Sequence, residues 1–294
     1  IENTANELID QFIDDGKCEF LSAFGVQLPL RVIVSQLGAP MSDIALFRKW
    51  TEAFIGNLSQ QLDRDGLIQA AKDMVEFQHY FAARIEERRL EPQQDILSKT
   101  VNASIDGDEQ LSVAESLSMI AQILVAGNET TSASLTEGIW LLIENPDQYA
   151  LLRENPSAEM ISRLVEEVLR ISSPSSNMFR RANETVEMHG VTIPKDAILF
   201  ARFASANQDE KQFPEPEKFD LMRDNLKDQV AFGKGVHHCL GAALSRREMN
   251  IGFKVILERL ENFRLAEGAS SPTFAANALL HGLSGLDLAF DKVS

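Results

Sequence analysis

One uninterrupted helical segment near the middle of the chain limits the possible folds more than any other feature. Ser112 and Glu115 have the spacing of a capping box, in which each side chain accepts a hydrogen bond from the other residue's backbone N–H group at a helix start. No proline follows until Pro146, so the spacing predicts a helix of about 30 residues, roughly 45 Å long. Because such a helix crosses most of a 294-residue molecule, the remaining elements have to pack around it.

The rest of the chain predicts a mainly α-helical fold with a smaller β-rich part. Thr4 and Glu7 predict a second capping box, at the start of a first helix that ends at Gly16. Further amphipathic helices are predicted up to residue 91, and Asp106 with Gly107 predicts a turn. Apolar residues alternate from 184 to 203, with a turn at His189 and Gly190, which is typical of short strands. There is no internal repeat or linker, so residues 1–294 are interpreted as one domain.

The charge balance and the cysteine count exclude several classes of partner and site. Asp and Glu number 44 against 28 Lys and Arg, and the net charge of −16 disfavours binding to nucleic acid or anionic lipid. No apolar run approaches the roughly 20 residues of a membrane span. Cys18 and Cys239 are too few for a disulfide framework, so we expect a cytoplasmic protein. Ile1 is not an initiating Met, and we expect further sequence upstream.

The segment AFGKGVHHCLG, residues 231–241, gathers three potential metal ligands, His237, His238 and Cys239. Its glycines allow a flat or bulky group to approach the backbone closely. Cys239 stands just before a predicted helix, whose N-terminal N–H groups favour the metal-binding thiolate form. For a cysteine alone, a buried structural role is the alternative. The glycines are Gly233, Gly235 and Gly241.

Two kinds of metal site are compatible with this loop. Zinc would need four converging ligands, and outside the loop the cysteines and histidines have no zinc-binding spacing. Three consecutive side chains also point in different directions, so they rarely bind one ion together. A single cysteinate fits better with a metal whose other ligands come from a cofactor, and haem supplies four nitrogens. Zinc stays as the alternative.

The loop resembles the FxxGxHxCxG haem-binding loop of the cytochrome P-450 family. The resemblance implies the P-450 fold, mainly α with a smaller β-rich part, and haem b with Cys239 as the axial ligand of its iron. It also implies about a hundred further residues before Ile1, so that this chain forms roughly the C-terminal three-quarters of the usual fold. The loop residues that it places around the cofactor are Phe232, Gly233, Gly235, His237 and Gly241.

The stretch AGNETTS, residues 126–132, lies midway along the predicted long helix and resembles the family's oxygen-activating motif. A polar stripe on an exposed helix face is the alternative, but it leaves the glycine unexplained, since glycine lowers helix propensity. The resemblance implies that Ala126 and Gly127 lie against the haem and that Glu129 and Thr130 deliver protons while O2, the co-substrate, is activated. A threonine hydroxyl that bonds the carbonyl four residues earlier can also open the helix locally.

Glu167 and Arg170 lie three residues apart on one face of a predicted helix, opposite an apolar stripe. From spacing alone, a solvated ion pair worth only about 0.2–0.5 kcal/mol is favoured. The resemblance implies instead that they form a structural triad with Arg223 of FDLMR, bracing the irregular region behind the haem.

Other residues have roles only through the resemblance. Arg180 and His237 are expected to bind the haem propionates, for which a planar guanidinium is well suited, and His238 has no assigned role. The expected substrate pocket is mostly apolar with one amide. Its candidate residues are Val125, Asn177, Met178, Phe179, Leu279 and Leu280.

The resemblance implies a monooxygenase of the soluble bacterial type, which inserts one atom of O2 into a hydrophobic small molecule as a hydroxylation. Its electrons would come from a ferredoxin and a ferredoxin reductase. Lys234, Arg246 and Arg247 predict a basic patch near the cysteine, suited to an acidic ferredoxin. A peroxygenase that uses hydrogen peroxide and a non-catalytic haem-thiolate sensor or carrier are the alternatives. The Glu129–Thr130 pair favours the oxygen-activating enzyme.

Overall fold

The computed structural model describes residues 1–59, 62–104, 109–277 and 279–293, without the side chain of Leu58. The predicted turn at Asp106 and Gly107 lies outside these residues. The described part is mainly helical, as the sequence predicts. Its α-helices are α1 (Glu2–Asp10), α2 (Gln27–Gln36), α3 (Ile44–Ser59), α4 (Arg64–Leu90), α5 (Ile96–Val101), α6 (Val113–Glu144), α7 (Pro146–Glu154), α8 (Ala158–Ser172), α9 (Phe203–Ala206) and α10 (Ala242–Arg259).

Helix α6 is the long helix that the sequence predicts, with 32 residues. Its capping box is present: the Glu115 N–H group donates to Ser112 Oγ at 3.2 Å, and the Ser112 N–H group donates to the Glu115 carboxylate at 2.8 Å. One half of α6 packs into a cluster with α2 to α5 through Ile120 and Leu124, and the other half packs into a cluster with α8 and α10. The polar stretch 126–132 lies where the two apolar cores meet.

The first helix begins earlier than predicted. The Ala5 N–H group donates to the Ile1 carbonyl at 2.9 Å, so Thr4 and Glu7 lie inside α1 and do not cap it. The prediction of a capping box there is wrong because the backbone of Ile1 already starts the helical hydrogen bonding. Gly16 also does not end α1; its φ of 64° ends a short 3₁₀ helix that follows.

The strands form three small antiparallel sheets. They are β1 (Lys17–Glu19), β2 (Asn177–Arg181), β3 (Val186–Met188), β4 (Val191–Ile193), β5 (Ile198–Arg202), β6 (Leu260–Leu265) and β7 (Asp287–Lys292). Their order is β1-β7-β6, β2-β5 and β3-β4. The predicted turn at His189 and Gly190 joins β3 to β4, with φ of 47° and 79° at the two residues, as a tight hairpin requires. Within the described ranges, no helix combines the length and apolarity needed to span a bilayer.

Candidate functional site

The loop that carries Cys239 is fixed at its start by side chains from distant parts of the chain. Asn207 Oδ1 accepts a hydrogen bond from the Val230 N–H group at 2.8 Å. Gln229 donates to the Glu166 carboxylate of α8 at 3.0 Å. These contacts fix the backbone position at which the loop begins. Since Asn207 and Glu166 belong to other elements, the loop position depends on the packing of α8.

The loop then turns back on itself. The Cys239 N–H group donates to the Phe232 carbonyl at 2.9 Å, which closes the turn. Gly233 and Gly235 have φ of 65° and 74°, left-handed conformations that favour glycine. Helix α10 begins at Ala242, so Cys239 lies just before a helix N-terminus, as the sequence predicts.

The exposed face of the loop is apolar around a free thiol, and this fits a haem. Cys239 is exposed and forms no disulfide, while Val236 and Leu240 are 99% and 90% exposed. Two such side chains beside a thiol form a surface that one face of a porphyrin can cover. Among the residues that the structure describes, no cluster of three His, Cys, Asp or Glu side chains could hold a metal ion. The zinc alternative therefore lacks converging ligands.

Hydroxyl side chains of α6 bond back to the helix within the 126–132 stretch. Thr130 Oγ1 donates to the Ala126 carbonyl at 3.1 Å, the local bond that the sequence predicts. Ser132 does the same to the Asn128 carbonyl at 2.9 Å. A Cβ atom on Gly127 would lie 3.4 Å from the side chain of Ile33. This is an ordinary van der Waals distance, so packing against α2 does not by itself require glycine at this position.

A side-chain hydrogen bond links this stretch to the start of α10, directly after the cysteine loop. Thr131 Oγ1 and Ser245 Oγ lie 3.0 Å apart, and Ser245 is in the first turn of α10, directly after the loop. The structure thus brings α6 and the Cys239 segment into one region. Sequence reasoning missed this pair. The only signal was the second threonine of the TT sequence, which the motif itself does not require.

Glu129 is a partly buried acid with a raised pKa. Burial raises the pKa of its carboxyl group, and the negative charge of Glu52 adds to the shift, while the positive charge of Arg48 opposes it. Arg48 and Glu52 form an i,i+4 pair on α3 at 2.9 Å. A carboxyl group whose proton is retained to higher pH is suited to proton transfer.

Glu167 and Arg170 are fully buried, contrary to the interpretation of their face as solvated. Arg170 donates to both oxygens of Glu167, at 2.7 and 2.8 Å, and Arg223 Nε lies 3.4 Å from the same carboxylate. The two guanidinium groups also donate to backbone carbonyls of the irregular region. These carbonyls belong to Asn207, Pro214, Glu215, Pro216 and Lys218. The triad thereby crosslinks α8 to residues 207–223.

The expected propionate ligands Arg180 and His237 lie on separate elements, β2 and the cysteine loop. Arg180 in β2 is partly exposed and donates to the Phe179 carbonyl at 2.8 Å, and His237 and His238 are exposed. The Ser176 N–H group donates to the Leu279 carbonyl at 3.1 Å, which holds the expected pocket residue Leu279 beside the start of β2.

The remaining pocket candidates differ in exposure. Met178 and Phe179 are 40% and 59% exposed, and the Phe179 ring lies 4.7 Å from that of Phe200 across the β2-β5 pair. Val125 of α6 is partly buried, as is Leu280. Five of the six candidates are apolar, and the sixth, Asn177, carries an amide.

The predicted basic patch is smaller than expected. Arg246 donates to the Glu166 carboxylate at 2.6 and 3.1 Å and stacks on the Phe232 ring at 4.5 Å. Its charge is therefore compensated, which sequence spacing could not reveal because Glu166 lies 80 residues away. Lys234 and Arg247 are exposed and form no ion pair with the described residues.

Three buried or partly buried ionisable groups were not singled out from the sequence. Glu248 of α10 is 2% exposed, and burial raises its pKa to about 8. Glu137 of α6 is 3% exposed, and its carboxylate lies 3.8 Å from the His281 ring. None of these residues belongs to a recognisable sequence motif, so no sequence pattern could have identified its burial.

Known proteins of one family match the chain along most of its length. The family model for cytochrome P-450 matches residues 30–282. The chain is 34% identical over 290 residues to cytochrome P-450 CYP107DY1 of Priestia megaterium, covering 99% of this chain and 69% of that protein. It is 32% identical over 291 residues to 6-deoxyerythronolide B hydroxylase of Saccharopolyspora erythraea, covering 99% and 70%.

A solved structure agrees with these matches. Cytochrome P-450 CYP109Q5 from Chondromyces apiculatus has a TM-score of 0.88 and 31% identity, over 100% of this chain and 71% of that one. The fold, the exposed thiol on its loop and the polar stretch of α6 occur here together, and the alignments with these relatives cover the whole of this region. The chain therefore belongs to the cytochrome P-450 family of haem-thiolate monooxygenases.

Proposed function

We propose that this P-450 hydroxylates a hydrophobic small molecule with one atom of O2, using haem b bound through Cys239. The observation that carries the proposal is the exposed Cys239 thiol between Val236 and Leu240, on a loop joined to α6 by the Thr131–Ser245 contact. Haem, when bound, supplies the redox chemistry that activates O2. One relative is named as a hydroxylase, which supports hydroxylation as the reaction.

The cofactor would be held by the loop on one side and by α6 on the other. Phe232, Gly233, Gly235 and Gly241 would contact the ring plane around the thiolate, and Ala126 and Gly127 would line the opposite face. Arg180 and His237 would donate hydrogen bonds to the propionates. Arg180 is partly exposed, its only described side-chain bond being to a neighbouring carbonyl, so its guanidinium is available for a carboxylate.

Proton delivery is proposed for Glu129 and Thr130. The Thr130 hydroxyl donates to the Ala126 carbonyl, so its oxygen is free to accept a second hydrogen bond. The raised pKa of Glu129 lets it hold a proton at higher pH than an ordinary carboxyl group. To pass on a proton, the Thr130 hydroxyl would turn from the Ala126 carbonyl, donate its own proton to the reacting oxygen and accept one from Glu129, a side-chain rotation that moves no backbone atom.

Replacing Thr130 by Ala is expected to uncouple reductant use from product. The variant keeps the fold but loses the hydroxyl, so NADPH oxidation continues while product formation falls by about 10²-fold, the contribution typical of a positioned proton donor. Product per NADPH oxidised, measured together with hydrogen peroxide released, checks this. Thr130→Ser is the matched control, because it retains the hydroxyl and should retain most of the coupling. Unchanged coupling in Thr130→Ala would exclude the proton-relay role.

Electrons are proposed to come from an acidic ferredoxin that docks near Lys234 and Arg247. We expect Arg247→Glu to slow reduction by the ferredoxin about tenfold at low salt, with the difference shrinking as salt is added. Stopped-flow reduction rates at several ionic strengths measure this effect. Lys72→Glu is the control, since it makes the same charge change at an exposed position of α4. Equal rates for the two variants would place the docking surface elsewhere.

A further inference from the structure

A short segment near the C-terminus, described at residues 274–277 and 279–283, lies between α6 and the chain leading into β2. On the β2 side, its backbone is held by hydrogen bonds from Ser176 to the Leu279 carbonyl at 3.1 Å and from His281 to the Pro174 carbonyl at 2.8 Å. Within the segment, the Ala275 N–H group donates to the Gly282 carbonyl at 2.9 Å. The segment carries two of the proposed pocket residues, Leu279 and Leu280.

On the α6 side, the segment makes a charged contact. His281 Nδ1 lies 3.8 Å from Glu137 Oε2, and the Glu137 side chain is 4% exposed. Both atoms are buried, and neither has a hydrogen-bond partner within the described part of the chain. The His281 ring also stacks on Phe274, with ring centres 4.2 Å apart.

A buried, unpartnered carboxylate oxygen is costly, and a buried ring nitrogen next to it is its natural partner. At 3.8 Å the two atoms are just beyond hydrogen-bond distance, so a small rotation of either side chain closes the contact. Packing limits larger movement: a Cβ atom on Gly282 would lie 2.9 Å from Ala133, so the segment already touches α6 closely. The backbone of the segment is therefore fixed against α6, while the side chains of Glu137 and His281 can still move towards or away from each other.

The charges around the ring favour its protonated form. Glu137 raises the pKa of His281 through its close contact with the ring and its negative charge, and the Ser172 carbonyl adds to this, while burial opposes it. Phe274 and residues 172–176 contribute no other charged group to the ring. Because the folded state raises this pKa, the stabilisation is present below the ordinary value of 6.5 and is lost as pH rises through the raised value.

We propose that Glu137 and His281 are positioning residues that hold this C-terminal segment, and with it Leu279 and Leu280, against the substrate pocket. This inference rests on the proposed function, because it assumes that these leucines contact substrate. Neither residue is assigned to the chemistry itself. The pair sets how firmly one wall of the pocket is held, so it acts on substrate affinity and leaves the rate of the chemical step unchanged.

The first test uses hydrogen exchange in the whole protein and needs no substrate. We expect Glu137→Gln, which keeps the shape of the side chain, to speed exchange of the Ser176 and Ala275 amides about tenfold relative to the parent protein at about pH 6, and hardly at all at about pH 9. His281→Gln should behave in the same way, and the double variant should add nothing further. His79→Gln on exposed α4 is the control. If the ratio of the exchange rate in the variant to that in the parent protein is the same at both pH values, Glu137 and His281 do not interact as proposed. Additive effects in the double variant would lead to the same conclusion.

The second test measures substrate affinity by the spectral change of the haem protein on titration. We expect the dissociation constant of the parent to rise several-fold between about pH 6 and about pH 9, and that of His281→Gln to be high and constant, with kcat unaffected in both. If exchange responds as expected but affinity does not, the segment is held by the pair without shaping the pocket, and the positioning role is wrong. Failure of the proposed function is seen separately, as a parent protein with no thiolate-type carbon monoxide spectrum.

Discussion

The Cys239→Ser variant is expected to lack completely the red-shifted Soret band that we expect for the reduced parent protein with carbon monoxide, and to lose substrate-dependent NADPH oxidation. A serine hydroxyl stays protonated near neutral pH and does not donate charge to iron as a thiolate does. The structure offers no second thiol for the iron, since the other cysteine, Cys18, is partly buried in β1. The absorption spectrum of the reduced protein with carbon monoxide measures the ligand directly.

Two matched control variants test whether Cys239, and no other residue, binds the iron. His238→Ala removes an exposed imidazole next to the thiol and should leave the band in place. Cys18→Ser removes the other cysteine, whose pKa is raised to about 12 by burial and by the charges of Glu19 and Asp287, so that it remains a thiol. A band that survives in Cys239→Ser, or disappears in either control, would assign the iron ligand to a different residue.

What could be predicted from the sequence was local in origin. Helix α6 starts at a capping box and ends before a proline, and both signals lie within a few residues of the boundary they set. The β3–β4 hairpin follows from the turn at His189 and Gly190 in the same way. The Thr130 hydroxyl bonds a carbonyl only four residues away. Each of these features needs no knowledge of the rest of the fold.

What could not be predicted depends on partners far along the chain. Glu167 and Arg170 have the spacing of a surface pair, and they are buried because residues 207–223 fold over them. Arg246 was expected in an open basic patch, but Glu166 reaches it from α8. The Thr131–Ser245 contact joins residues 114 positions apart. In each case tertiary packing decides whether a polar side chain is exposed. The periodicity of a single helix cannot predict this exposure, because the partner lies in a distant part of the chain.

Replacing Glu167 by Gln is expected to lower the free energy of unfolding by about 3–5 kcal/mol, the cost of leaving a buried ion pair without one partner. Arg170 is fully buried and Arg223 is 7% exposed, so neither guanidinium can recover its charge compensation from water. The damage should extend to the site, because Arg170 also donates to the Asn207 carbonyl at 2.9 Å and Asn207 holds the start of the cysteine loop. Urea unfolding followed by circular dichroism, with haem content measured on the same samples, tests both effects.

Glu166→Gln is the control for this prediction, since it makes the same chemical change at the neighbouring position of α8. Its partner Arg246 has a side chain that is 35% exposed, so solvent screens the pair and the loss should be at most about 1 kcal/mol. Glu166 also accepts a hydrogen bond from Gln229, just before the loop. If haem retention depends only on such contacts with the loop, both variants should lose similar amounts of haem. Greater instability and greater haem loss in Glu167→Gln would show that the buried triad, and not the loop contact, carries the stabilisation. An equal loss of unfolding free energy in the two variants would mean that the buried triad stabilises the fold no more than a surface ion pair does.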